Sequence, residues 1–358
     1  MKIIHCADLH LDSKIDIKDK AKSTLRKEEV LRSFERLCDY AKQNFVSAII
    51  IAGDLFDGEK VSKKVLERVV VTIANYPDID FLYLSGNHDG GANIDYSYFS
   101  KNFKVFGSEF TCFNYDGVSI GGISYQNVLT ISDYESISFE KNNFNILTLH
   151  GQIVDYKGTP KNDVISLPRL KDRNINYLAL GHYHSFIEGK IDLYGQYAYS
   201  GCLEGRGFDE EGEKGFVLID TENKLVPYSF IKFCARTVHV VEYDLTPFDS
   251  WAIALSEIVR DVTSKYSKDS MIKVELVGEC GTDFYLDVNQ LSLKLSQNFF
   301  YVKVEDKTTL SITENDYLND KTVRGEFISL VWNSDLSDEY KKKVITCGLN
   351  ALNGEEII

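Results

Sequence analysis

No CxxC pair occurs in this chain of 358 residues, and its seven cysteines (Cys6, Cys38, Cys112, Cys202, Cys234, Cys280 and Cys347) are dispersed. The first absence argues against a zinc ribbon. The odd, scattered set reads as the reduced thiols of a soluble, cytoplasmic protein. No apolar run approaches a membrane span, and the best, "AIIIA" at residues 48–52, is strand-sized. The opening "MKIIHCADLH" reaches charged residues too soon for a signal peptide, so no membrane partner is expected. Internal repeats and low-complexity segments are also missing. With 44% hydrophobic and 26% charged residues, the disordered and fibrous classes drop out. Positive charge is scarce: 40 Lys and Arg face 54 Asp and Glu, a net charge of -14. Phosphate backbones are normally gripped by clustered Lys and Arg, so this balance lowers the expectation of a stand-alone DNA binder. It does not exclude one, because bound divalent cations bring positive charge that a side-chain count omits.

What is present begins with alternation. "KIIHCA", "VSAIIIAG" and "DFLYLSG" are apolar, strand-like runs. Between them, "STLRKEEVLRSFERLCDYAKQNF" and "SKKVLERVVVTIANY" carry helical periodicity, the second starting at a Ser62 cap. Strands separated by helices imply crossover connections and a buried sheet. Beyond residue 103 the pattern shortens. "TCFNYDGVSIGGISY" predicts a hairpin turning at Asp116-Gly117, and "FNILTLHG" and "INYLALGH" predict buried strands with a short helix at "SLPRLKDR" between them. The segment 186–233 is strand-rich. From about residue 234 a compact βαβαβ unit follows, without a Gly-rich phosphate loop, and "TVRGEFISLVWN" and "SDEYKKKVITCGLNALNG" read as two closing helices.

The polar residues cluster where apolar strands end. Asp8 and His10 follow the first strand, Asp54 and Asp57 the second, and Asn87, His88 and Asp89 the third. His150 closes "ILTLHG", and His182 and His184 sit one residue apart in "LALGHYHSF". On a strand that last pair would point to opposite faces; in a turn both can converge. Each turn alone has an ordinary structural explanation, but the five in series do not. Ligand sites in open α/β sheets lie beyond the carboxyl ends of strands. Carboxylate, imidazole and amide oxygen without thiolate suit manganese, iron or zinc. Asp8, His10, Asp54, Asn87, His150, His182 and His184 are too many for one tetrahedral ion. They suit two divalent metal ions, manganese first among the candidates, about 3.5–4 Å apart with Asp54 as the bridging carboxylate.

The series "DLH…GDLFD…GNHD…HG…GHYH" resembles the five-part signature of the calcineurin-like metallophosphoesterases, over roughly residues 1 to 220. The resemblance implies an α/β fold: a two-sheet αββα metallophosphoesterase sandwich with a small α+β cap domain and C-terminal helices. The catalytic domain would span 1–233, the capping domain 234–322 and the C-terminal helices 323–358. Asp8, His10, Asp54 and His184 would hold one ion, and Asp54, Asn87, His150 and His182 the other. "ADLHLDS" and "GDLFD" look most like the DNA-repair exonuclease branch, the SbcD and YhaO-like proteins. That branch implies a metal-dependent phosphodiesterase, with DNA as substrate, an SbcC-like coiled-coil ATPase as partner and a homodimer as assembly. Phe327, Leu330, Val331 and Trp332 read as one helical face for such a partner, or for packing onto the chain's own domain. Rival readings are a phosphodiesterase or phosphatase acting on small nucleotides or phosphoproteins, and a structural subunit of an ATPase–nuclease complex.

His88 follows Asn87 directly, so when the Asn87 amide faces an ion the next side chain projects toward substrate. His88 is therefore expected to act on the leaving group as a catalytic residue, with Asp89 orienting its ring. Asp57 reads either as a hydrogen-bond acceptor behind a ligand histidine or as a loop-fixing residue. His5 and His239 read as structural, Asp12 as an exposed loop carboxylate, and Arg206 as a phosphate contact or a surface ion pair.

Overall fold

A computed structural model describes residues 1–58, 61–89, 94–223, 227–312, 318 and 320–352. The chain divides into two compact units, Met1–Val238 and His239–Ile358.

Among the described residues, the first unit is built on two six-stranded sheets. One runs, edge to edge, Tyr228–Lys232, Gly215–Asp220, Lys2–Cys6, Ala48–Ala52, Asp80–Leu84 and Phe103–Val105. The other runs Ile187–Lys190, Gln196–Tyr199, Tyr177–Gly181, Phe144–His150, Val118–Gly122 and Thr111–Tyr115. Their inner faces share one core, in which Ile3, Ile50, Leu82 and Leu84 meet Ile120, Ile146 and Ala179. Alternate residues turn to the outer faces, as the two-residue period of a strand demands. On the first sheet, Phe81 meets Phe34 of the helix Lys20–Gln43, ring centroids 6.2 Å apart. On the second, Leu147, Leu149, Leu178 and Leu180 pack with Tyr134 and Ile137 around the helix Ile131–Ser136 and with Leu167 and Leu170. Both faces of the central strands are covered, which is why their sequences are continuously apolar.

Local details follow from short-range chemistry. The first helix begins at Lys20, three residues before the point its apolar period suggests, because the Asp19 carboxylate accepts from Ala21 N (2.9 Å) and Lys22 N (3.1 Å). Gly117 adopts φ +68° in the predicted hairpin turn between Thr111–Tyr115 and Val118–Gly122. The helix expected at "SLPRLKDR" is a single 3-10 turn, Leu167–Arg169. Left-handed Asp172 (φ +61°) and Asn174 (φ +56°) end any helical path soon after it.

The second unit carries a three-stranded sheet in the order Val238–Asp244, Met271–Val277, Tyr301–Asp306, the last two parallel. Helices Trp251–Lys265 and Val288–Ser296 share its core through Leu255, Ile258, Val262, Leu291 and Leu295. Helices Val323–Trp332 and Asp338–Leu352 pack on each other through Ile328, Val331, Ile345 and Leu349, joined by Phe327 and Trp332. Of the two readings of the face at Phe327, Leu330, Val331 and Trp332, packing onto the chain's own domain holds for all but Leu330. Three of the four are taken up in this small core, and Leu330 alone stands 76% exposed. Among the described residues no helix is long and apolar enough to cross a membrane.

Candidate metal centre

Lys2–Cys6, Ala48–Ala52 and Asp80–Leu84 are parallel neighbours in one sheet, and Phe144–His150 and Tyr177–Gly181 are parallel neighbours in the other. Their carboxyl ends deliver the candidate ligands. The turns are tight: Asp8 (φ +51°), His10 (φ +44°), Asp54 (φ +53°) and His182 (φ +112°) all occupy the left-handed half of backbone space. Non-glycine residues rarely do so, and such strain concentrates at functional sites. Gly86 makes one approach possible, because a Cβ there would lie 2.2 Å from the Asp54 carboxylate.

Asp8, His10 and His184 form one cluster of possible ligand atoms, and Asp8, Asp54 and His150 form another. His10 Nε2 and His184 Nε2 stand 3.2 Å apart. Asp54 Oδ2 lies 3.7 Å from His10 Nε2 and 3.4 Å from His150 Nε2, between the two histidines, while its Oδ1 accepts from His88 N at 2.9 Å. Asn87 Oδ1 is 2.8 Å from His150 Nε2. His182 lies farther out. Its backbone N–H donates to both Asp8 oxygens (3.0 and 3.1 Å), and its ring centroid is 5.6 Å from that of His150.

The outer ring nitrogens have partners of their own. His10 Nδ1 faces Asp57 Oδ1 at 3.2 Å, His184 Nδ1 faces Glu210 Oε1 at 2.7 Å, and His150 Nδ1 faces the Ala52 carbonyl at 2.9 Å. An acceptor behind Nδ1 keeps the proton there and leaves the Nε2 lone pair aimed inward, the usual arrangement of a metal-binding histidine. Burial lowers the affinity of His10, His150 and His182 for protons, favouring the neutral ring that can ligate. Burial first, and then the neighbouring Asp54 carboxylate, push Asp8 well above the usual range. Two buried carboxylates and facing imidazole lone pairs are a costly arrangement that divalent cations between them relieve. The donor set fits such ions.

His88 and Asp89 part company. His88 is 48% exposed, stacks edge-on against His10 with centroids 4.9 Å apart, and places Nδ1 3.2 Å from Asp57 Oδ1. Asp89 does not hold that ring, contrary to expectation. It turns back beneath the preceding loop, where its carboxylate accepts from Leu55 N (3.1 Å), Phe56 N (2.9 Å) and Gly86 N (3.2 Å). Burial there, with Asp54 nearby, pushes its pKa up to about 6. The residue facing His88 is Asp57. Hydrogen bonding to His10 holds the Asp57 carboxylate below the ordinary range.

Glu210 escaped the reading of the sequence altogether. It lies 26 residues from the histidine it touches, in an acidic stretch with no signature, and the four-residue spacing to Arg206 is its one local hint. Arg206 does not form an exposed surface pair. It pairs with Glu210, whose residual exposure is 3%. Burial opposes charge on Glu210, but hydrogen bonds from His184 and Arg206 outweigh it and hold the carboxyl well below its usual range. His5 bonds Tyr177 OH (2.9 Å) and the Leu180 carbonyl (3.1 Å) inside the sheet and stays out of the centre. Asp12 is exposed and accepts from Ser62 N, and the His239 ring lies against Tyr266, 4.4 Å between centroids.

A family model described as calcineurin-like phosphoesterase matches residues 1–186. The chain belongs to the calcineurin-like phosphoesterase family. It is 28% identical to the uncharacterized metallophosphoesterase YhaO of Bacillus subtilis over 299 residues, 77% of this chain and 71% of that protein. It is 26% identical to the DNA double-strand break repair protein Mre11 of Sulfurisphaera tokodaii over 294 residues, 75% of this chain and 70% of the relative. Among solved structures, TT1561 of Thermus thermophilus aligns with a TM-score of 0.41 and 12% identity, covering 64% of this chain and 98% of that one. As a member of this family the chain is a metal-dependent phosphoester hydrolase. Its clustered His and Asp side chains are the candidate ligands for the divalent metals that the family binds.

Proposed function

We propose that the chain is a manganese-dependent phosphodiesterase that cleaves DNA. The observation that carries this reading is the convergence of five strand-end turns on one seam between the sheets. Asp8, His10, Asp54 and His184 would hold one ion, and Asp54, Asn87, His150 and His182 the other. Oxygen and imidazole donors without thiolate suit manganese over softer metals. When bound, two such ions neutralise phosphoryl oxygens and make water acidic enough to attack near neutral pH.

The protein's own groups account for the rest. Asp54 sits between both halves and fixes their separation. Asp57 and Glu210 keep His10 and His184 in the ligating tautomer. His88, half in solvent and backed by Asp57, is placed to deliver a proton to the departing alkoxide, a strong base in a DNA diester. A role in DNA cleavage also draws on the similarity to proteins named for DNA double-strand break repair. Residues 234–322 are proposed as a cap that guides substrate. A cytoplasmic setting, an SbcC-like ATPase and a second copy of the chain complete the proposal. Leu330, Val323 and Tyr340 are exposed apolar residues of the last helices that could meet such a partner.

The net charge of -14 favours a second reading, a diesterase for small nucleotides, because an acidic chain repels the phosphates of a long duplex. Turnover with manganese should be compared on linear duplex, single-stranded DNA, cyclic nucleotides and bis-nitrophenyl phosphate. Cleavage of DNA at rates matching or exceeding the small diesters supports the proposal. Turnover of cyclic nucleotides with none of DNA replaces it by the second reading.

A further inference from the structure

Residues 201–214 form a loop outside the regular strands and helices, yet three of its charged side chains are almost fully buried: Glu204, Glu210 and Lys214. Glu210 and Lys214 both reach His184, and Glu204 anchors the loop from outside. The Glu210 carboxylate accepts from His184 Nδ1 at 2.7 Å and from Arg206 N at 2.6 Å. Lys214 Nζ donates to the His184 carbonyl (2.8 Å) and to Ser185 Oγ (3.3 Å), and Cys202 N reaches the same carbonyl at 3.5 Å. His184 is thus held at its ring and at its backbone by one loop.

The loop is in turn pinned from outside. Arg26, fully buried in the helix Lys20–Gln43, donates to Glu204 Oε2 (2.7 Å) and to the Gly205 carbonyl (2.8 Å). Glu204 Oε1 also accepts from Arg36 (3.0 Å) and Ala235 N (2.7 Å). Buried ion pairs contribute little net stability, because desolvation offsets most of their attraction. What they do well is fix position. His182 presents the opposite case: half-buried, its ring has no hydrogen bond among the described residues. The His10 and His184 rings are each backed by a carboxylate, whereas His150 has a carbonyl and His182 has neither.

We propose that residues 201–214 are a clamp that orients His184 in advance of metal, with Glu210 as the positioning residue. The His10–His184 half of the centre then takes its ion first and more tightly than the His150–His182 half. This rests on the two-ion reading above. The geometry of one half is fixed by hydrogen bonds before any ion arrives, so binding there costs less ordering. The other half must order His182 as it binds.

The test is manganese titration of the full chain, followed by calorimetry and by electron paramagnetic resonance, which separates lone ions from coupled pairs. The wild-type chain should show two affinities at least about tenfold apart. Glu210→Gln should weaken the tighter one by about 10–100-fold, the usual effect of losing a group behind a metal ligand, and leave the weaker one unchanged. Glu210→Asp should recover part of the loss. Because Glu210→Gln leaves the Arg206 charge unpaired, the double variant Glu210→Gln/Arg206→Gln is measured alongside it, with thermal melting to establish folding. Nitrogen-15 shifts of His184 in metal-free protein should show a proton on Nδ1 in the wild type and a mixture of tautomers in the variant. Equal wild-type affinities, or equal losses at both sites in the variants, overturn the clamp. A wild-type chain that binds one ion overturns the two-ion reading instead, and the effect of Glu210→Gln on that ion still judges the clamp.

Discussion

Replacing His88 by Asn removes a proton donor from the rim of the centre while leaving all seven proposed ligands in place. His88 Nδ1 lies 3.2 Å from Asp57 Oδ1, so the ring has a carboxylate to orient it. Loss of a positioned general acid costs roughly 10²–10⁴-fold in turnover. The ring is 48% exposed, so water can supply part of the lost proton and the lower half of that range is expected. A loss of about 10²–10³-fold corresponds to about 3–4 kcal/mol in the barrier. The assay compares DNA with bis-nitrophenyl phosphate, whose nitrophenolate leaves without needing a proton. On that substrate the deficit should shrink below about tenfold, and metal content should match the wild type. Asp57→Asn behaves differently, because the same oxygen faces His10 at 3.2 Å, and both turnover and metal affinity should fall. An equal deficit on both substrates in His88→Asn, or loss of an ion, refutes the leaving-group role.

Other positions give sharp expectations. Asp89→Ala strips the acceptor from three backbone N–H groups and should destabilise the fold by about 3–5 kcal/mol in chemical denaturation; a loss below about 1 kcal/mol would show that they find other partners. His5 is buried, and its pKa falls from 6.5 to about 3 through desolvation. Between those values the unfolded chain binds more protons than the native one, so stability is full above pH 6.5 and is lost as pH falls toward 3. His5→Gln should make acid unfolding less steep by about one proton, and an unchanged slope contradicts this assignment. Leu330→Glu should leave the melting temperature unchanged yet reduce co-purification of the proposed ATPase partner; partner recovery at the wild-type level places the contact elsewhere. Trp332→Glu, by contrast, should lower the melting temperature, because Trp332 joins the small core between the last two helices.

The two-sheet architecture and the convergence of Asp8, His10, Asp54, Asn87 and His150 were legible because strand ends are marked by an apolar run stopping at a polar residue. Where side chains act across the chain, local reading stops. Asp89 neighbours His88 in sequence, but the turn folds it under Leu55 and Phe56, and Asp57, from a different strand end, faces the ring instead. Glu210 carries no mark because its partner is 26 residues away and the path between them is a strand-rich fold-back. The apolar face at Phe327 and Trp332 was visible, but periodicity says only that a face is apolar, never which neighbour covers it.

Metal counting in the wild type and in Asp54→Asn tests the central claim most directly. After saturation with manganese and removal of loose ions, elemental analysis of the wild-type chain should find two ions per chain. Asp54 lies between His10 and His150, 3.7 and 3.4 Å from their Nε2 atoms, so Asp54→Asn should leave two cations facing each other without the bridging charge. The variant should retain at most one ion, with turnover abolished. Two ions per chain in both proteins would contradict the bridging role of Asp54 and the shared centre built on it.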